Sequence, residues 1–192
     1  MATSVVPRAG LAALLLSVQG VNAGARPAEV PIAYQLAAHR ADVPSSVLFA
    51  LALQESGTKW NGRLVPWPWT LNVAGTPARY PGRREACHAL LRALREGTSP
   101  VDVGLAQISV SYHRDRVRTP CELLDPYRNL ALAGAILREQ HEAGDAWAEA
   151  VGRYHRPAGG EPAAQYRSDV ERHLSHVVGA RLASSMLHTP AP

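Results

Sequence analysis

One acidic side chain, Glu55, sits where an acid can be held protonated. It closes the run Leu48-Phe49-Ala50-Leu51-Ala52-Leu53-Gln54-Glu55, with Ser56 and Gly57 beside it. A carboxyl group at the end of so apolar a helix is partly desolvated, and desolvation raises its pKa by disfavouring the anion. The negative end of the helix dipole pushes the same way. A carboxylic acid that stays protonated near neutral pH can protonate a departing oxygen, as cleavage of a glycosidic bond requires. The plain alternative is a helix-end Glu pointing into water, and the pattern alone does not separate the two.

A second group of polar residues lies about fifty positions on, in Asp102-Val103-Gly104-Leu105-Ala106-Gln107-Ile108 after the turn Gly97-Thr98-Ser99-Pro100. Gly104 lets the backbone approach a ligand closely, and Gln107 offers one acceptor and two donors to sugar hydroxyls or acetamides. A buried turn explains the segment equally well. Asp102 reads first as a helix cap and second as another active-site carboxylate. Trp60, Trp67 and Trp69 fall within ten residues; their flat faces suit sugar rings, or they pack under the loop that carries them. Tyr154 and His155 end a helical stretch, and Tyr154 either donates into a cleft or packs on the core. His173 and His176 have the spacing of a helical metal pair, but no third ligand accompanies them.

The elements that must position these groups are mostly helical. Helices are expected over Ala28–His39, from Ser45 to Glu55 behind Asp42-Val43-Pro44, and over Arg83–Glu96 with Ala86, Leu90, Leu91 and Leu94 on one face. Further helices run from Asp125-Pro126 to Gly144, from Ala146 (capped by Asp145) to His155, and from Pro162 to Met186. Between Trp60 and Gly82, β-formers alternate with Pro66, Pro68, Gly75, Pro77 and Pro81, which predicts a small β-hairpin or flap. The fold class is therefore mainly α, an α+β domain with a small β insertion.

Length and composition bound the rest. At 192 residues with 46% apolar content, the chain fits one domain with an ordinary core. Arg8, the apolar run Ala9 to Val18 and the small residues to Ala23 have the make-up of a secretory signal peptide over 1–23, with the cut alternatively after Ala25. The run is too short to span a bilayer, so the expectation is an exported, periplasmic protein with one domain over 26–188, a loose tail at 189–192 and no stable membrane span. Removing Arg8 lowers the formal charge from +4 to +3. All but Lys59 of the 20 basic residues are Arg, spread along the chain and interleaved with acids, which argues against nucleic-acid binding. Export favours a disulfide between Cys87 and Cys121, the only two cysteines, over two free buried thiols.

Several segments together resemble a known family. Leu53-Gln54-Glu55-Ser56-Gly57, Gly104-Leu105-Ala106-Gln107-Ile108, Asn129 within Asp125-Pro126-Tyr127-Arg128-Asn129-Leu130, and Ala150 to Tyr154 are similar in order and spacing to the soluble lytic transglycosylase domain. That domain has a lysozyme-like fold and cleaves bacterial peptidoglycan. Pro66-Trp67-Pro68-Trp69-Thr70-Leu71-Asn72-Val73 with Asp102-Val103-Gly104-Leu105 resembles more narrowly the transglycosylases of conjugation and type IV secretion systems.

The resemblance implies roles. Glu55 is the single catalytic acid/base, and Ser56 orients it or the substrate. Gly104, Leu105, Gln107 and Ile108 line a saccharide groove, with Tyr154 near the acid and Asn129 in the same constellation. Trp67, Trp69, Asn72 and His155 complete the implied substrate-binding set. Two departures stand out: Ala106 replaces the family's usual Met, and His155 its usual Asn. The implied partner is the peptidoglycan glycan strand, with a secretion or conjugation machine as a second partner and no cofactor or metal.

Overall fold

The computed structural model describes residues 29–189. The leader expected over 1–23, its alternative cut after Ala25, and the end of the tail at 190–192 lie outside the described residues.

At the centre is α2 (Ser45–Ser56), where Val47, Leu48, Ala50, Leu51 and Ala52 are fully buried. A helix that is apolar on all sides must be wrapped by others. Here α7 (Glu161–Val178) and α1 (Ile32–Ala41) pack directly on it; α5 (Pro126–Glu139) packs on α1, and α6 (Trp147–His155) and α8 (Ala180–His188) pack on α7. The amphipathic α3 (Arg83–Arg95) buries Ala86, Ala89, Leu90 and Ala93 toward the sheet side. A short α4 spans Val110–His113.

The β part is larger than one hairpin. β1 (Gly57–Trp60) and β2 (Arg63–Pro66) pair antiparallel around Asn61-Gly62, both with positive φ. This is the chirality that a two-residue hairpin loop demands. β3 (Thr70–Val73) and β4 (Thr76–Arg79) make a second hairpin, also through two positive-φ residues, Ala74 and Gly75. Two short strands absent from the sequence expectation, β5 (Val101–Val103) and β6 (Ile108–Ser109), extend this second sheet in the order β4-β3-β5-β6.

Other boundaries differ for physical reasons. The first helix starts at Ile32 rather than Ala28, because Pro31 takes the extended conformation at its N-cap. α5 stops at Glu139, five residues before Gly144. Asp145 does not cap the following helix: Ala146 occupies the cap without a side-chain bond, and Asp145 pairs instead with Arg153. The last helical stretch breaks at Gly179, whose φ of 88° no continuing helix can hold. Asp125 does cap α5, accepting from the Arg128 N–H at 3.0 Å. A disulfide joins Cys87 on α3 to Cys121 in the 3-10 helix Pro120–Leu124, closing a sequence separation of 34. Among the described residues no helix is long and apolar enough to cross a membrane.

Candidate active site

Glu55 occupies the last turn of α2 and lines a cleft of about 1030 Å³ between the helices and the four-stranded sheet. Burial raises it from 4.5 to about 7; a hydrogen bond from the Tyr166 hydroxyl opposes that rise, and Asp102 adds to it. The Tyr166 O–H donates to Glu55 Oε1 at 2.6 Å. A neutral acid at neutral pH, open to a cleft and held in one rotamer by a phenol, is able to deliver a proton to a bound ligand.

The floor of the cleft is the turn between β5 and β6. Gly104 has a φ of 86°, and a Cβ there would lie 2.4 Å from Asn129 Nδ2 and 2.7 Å from the Leu123 carbonyl oxygen. Asn129 is fully buried: its Nδ2 donates to the carbonyls of Val103 and Leu123 at 2.9 Å, and its Oδ1 accepts from the Ala106 N–H at 2.9 Å. With these bonds made, Asn129 shapes the turn from beneath and does not line the cleft. Ser56 acts in the same way from α2, its hydroxyl lying 2.7 Å from the Leu105 carbonyl and 3.2 Å from that of Ala52. Tyr154 on α6 donates to the Ala106 carbonyl at 2.8 Å. Burial, Glu55 and Asp102 together push the Tyr154 hydroxyl well above its ordinary value, so it remains a neutral donor.

Gln107 lines the cleft and turns its Nε2 inward, donating to the Gly104 carbonyl at 2.8 Å. Ile108, Asn72, Tyr154 and His155 line it too, whereas Gly104 and Leu105 serve as buried backbone below. His155 stacks on Tyr166 with ring centroids 4.4 Å apart and planes 3° from parallel. Burial and the adjacent Arg156 lower its pKa against the pull of Asp102, so the imidazole is neutral at pH 7.

Two further expectations are corrected. Asp102 is no helix cap: it lies on β5 and faces the cleft, with Asn72 Nδ2 donating to its Oδ2 at 3.3 Å. Trp67 and Trp69 lie outside the cleft lining. They form an aromatic ladder with Trp60 (centroids 5.4 and 5.7 Å apart), and the Trp67 indole donates to the Tyr80 carbonyl at 2.8 Å. His173 contacts Gln54 Oε1 and His176 faces the Arg172 carbonyl, so the two rings are engaged separately. Among the described residues no group of three His, Cys, Asp or Glu is gathered for a metal ion.

Tyr166 escaped sequence reasoning. It falls on the buried stripe Ala163, Tyr166, Val170, Leu174 and Val177 of α7, where an aromatic residue reads as core. Its contact with Glu55 spans 111 residues, and only the packing of α7 on α2 brings the two together. A separate cavity of about 720 Å³ near Asp42, Arg138, His141 and Trp147 holds none of these groups.

The chain matches no protein-family model, and no curated protein or solved structure is significantly similar to it.

Proposed function

We propose that this chain is a peptidoglycan lytic transglycosylase. The observation that carries the reading is Glu55, an acid protonated up to about pH 7 at the wall of an open cleft. Glu55 protonates the oxygen bridging N-acetylmuramic acid to N-acetylglucosamine, and the C1–O bond breaks. The 2-acetamido carbonyl of the muramic sugar closes on C1. Glu55, now a carboxylate steadied by the Tyr166 hydroxyl, takes the proton from the same sugar's C6 hydroxyl as that oxygen attacks C1. The product is a 1,6-anhydromuropeptide.

One acid/base suffices because the nucleophile is tethered and acts at high effective concentration. Gln107 and Tyr154 supply the polar wall against which the saccharide rests. The leader-like N-terminus and the Trp-rich segment agree with work in the periplasm, opening the wall locally for a secretion or conjugation machine. No cofactor takes part.

A second reading, hydrolysis by water as in a lysozyme, is favoured by Asp102, a second carboxylate in the same cleft. Mass spectrometry of the muropeptides separates the two, since anhydro products are lighter by one water. Anhydro products from wild type and none from Glu55→Gln are expected. Reducing-end products alone would replace the transglycosylase with a hydrolase. Sacculi bound but left intact by wild type would leave a wall-binding assembly component.

A further inference from the structure

Asn72, Asp102 and Ser109 lie abreast on three neighbouring strands. The register pairs Asn72 with Asp102 across β3 and β5, and Asp102 with Ser109 across β5 and β6. Strand alternation explains the row, because Val101 and Val103 turn into the core and leave Asp102 between them on the other face. That face is the cleft wall, and all three side chains line the cavity that Glu55 lines. The row is not saturated internally: Asn72 Oδ1 and Ser109 Oγ have no protein partner among the described residues. Asp102 Oδ2 receives one bond, from Asn72.

We propose that Asp102 is a second catalytic carboxylate, one that accepts the N–H of the substrate's 2-acetamido group and balances the positive charge formed as that group's carbonyl oxygen bonds to C1. The inference rests on the transglycosylase reading and adds a partner that the reading does not require. When Glu55 gives its proton to the leaving oxygen, the C1–O bond breaks and the acetamide closes to a cationic ring. An anion hydrogen-bonded to the ring N–H is worth most at that moment, because the charge it meets is absent from the ground state. The C6 oxygen then displaces the acetamide oxygen from C1, and its proton passes to Glu55.

The sheet holds the carboxylate in place, with Asn72 donating to it from β3 and Ser109 beside it on β6. Asp102 is faced by His155 from α6, and Glu55 by Tyr166 from α7, Tyr154 from α6 and Asp102 itself. Burial raises Asp102, opposed by the bond from Asn72 and by His155. Its charge helps keep Glu55 protonated.

Asp102→Asn keeps the shape and removes the charge. On intact sacculi its kcat should fall about 100-fold or more, with KM changed by less than about threefold. In the folded variant the Glu55 carboxyl, followed by carbon NMR, should titrate at lower pH than in wild type. Asn72→Ala retains the anion and should lose less than about tenfold in kcat/KM. On glycan whose N-acetyl groups have been removed, both proteins lose the acetamide step, and the difference between wild type and Asp102→Asn should disappear. An Asp102→Asn protein within about threefold of wild-type kcat, or one impaired through KM alone, overturns the proposal. Wild type that cleaves no glycan at all refutes the transglycosylase reading itself, a result distinct from an active wild type indifferent to Asp102.

Discussion

Replacing Glu55 with Gln should abolish cleavage and yet make the fold more stable above neutral pH. Glu55 rises from 4.5 to about 7 on folding, chiefly through burial. Between those pH values the unfolded chain has released a proton that the native protein still holds. Native protein therefore binds more protons, and its stability falls as pH rises through this window. At ~1.4 kcal/mol per tenfold change in acidity, the ionised carboxyl costs the fold on the order of 3 kcal/mol above pH 7. Glu55 retains contact with cleft water, which reduces this to ~2 kcal/mol. At pH 5 the native carboxyl is still protonated, and less than ~1 kcal/mol of the cost is present. Gln has the same shape, and its amide oxygen can accept the Tyr166 O–H. Urea unfolding of both proteins at pH 5 and pH 8 is the assay. Glu55→Gln should gain ~2 kcal/mol over wild type at pH 8 and much less at pH 5. An equal difference at both pH values, or a variant less stable at pH 8, would refute the reasoning.

The Tyr166 hydroxyl lowers the pKa of Glu55, so Tyr166→Phe should move the alkaline limb of kcat/KM to higher pH, a shift read from the rate profile. A limb that stays in place would mean that the hydrogen bond does not govern the acid. Gly104→Ala forces a Cβ against Asn129 and Leu123 at a φ of 86°, and should cost about 2–4 kcal/mol in a denaturant melt while raising KM. Replacing both Cys87 and Cys121 with Ser reopens a 34-residue separation and should cost about 2–4 kcal/mol. The amide of Ala106 should then exchange faster, since the 3-10 helix bearing Cys121 also carries the Leu123 carbonyl that anchors Asn129.

Much of the site is local and was therefore legible. The apolar run before Glu55 makes it a candidate acid without separating it from a helix-end Glu in water, and Gly104 and Gln107 stand in a turn that composition alone also allows to be merely buried. Asp102 is hidden as a cleft residue because β5 has three residues and β6 only two, too short for alternation to stand out. The resemblance puts Ser56 and Asn129 in the substrate-binding constellation, whereas both support the turn from beneath, a distinction that depends on which hydrogen bonds are already made. Trp67 and Trp69 have the composition of a sugar platform; their position beside the cleft follows from hairpin packing that composition does not encode. Tyr166 lies in a core stripe of α7, and its polar end finds Glu55 only through the docking of that helix.

The contacts that complete the cleft join distant stretches of chain: Ser56 to Leu105 across 49 residues, Tyr154 to Ala106 across 48, and Tyr166 to Glu55 across 111. A nascent chain that has emerged only as far as α6 possesses the acid but neither its phenol partner nor the helix that shields it from water. The central helix can form early, because its contacts with α1 are close in sequence, whereas the cleft is among the last features to close. Under the proposed activity, the chain stays inert for as long as α7 is unmade or undocked, because the acid has neither its phenol nor its shield until then.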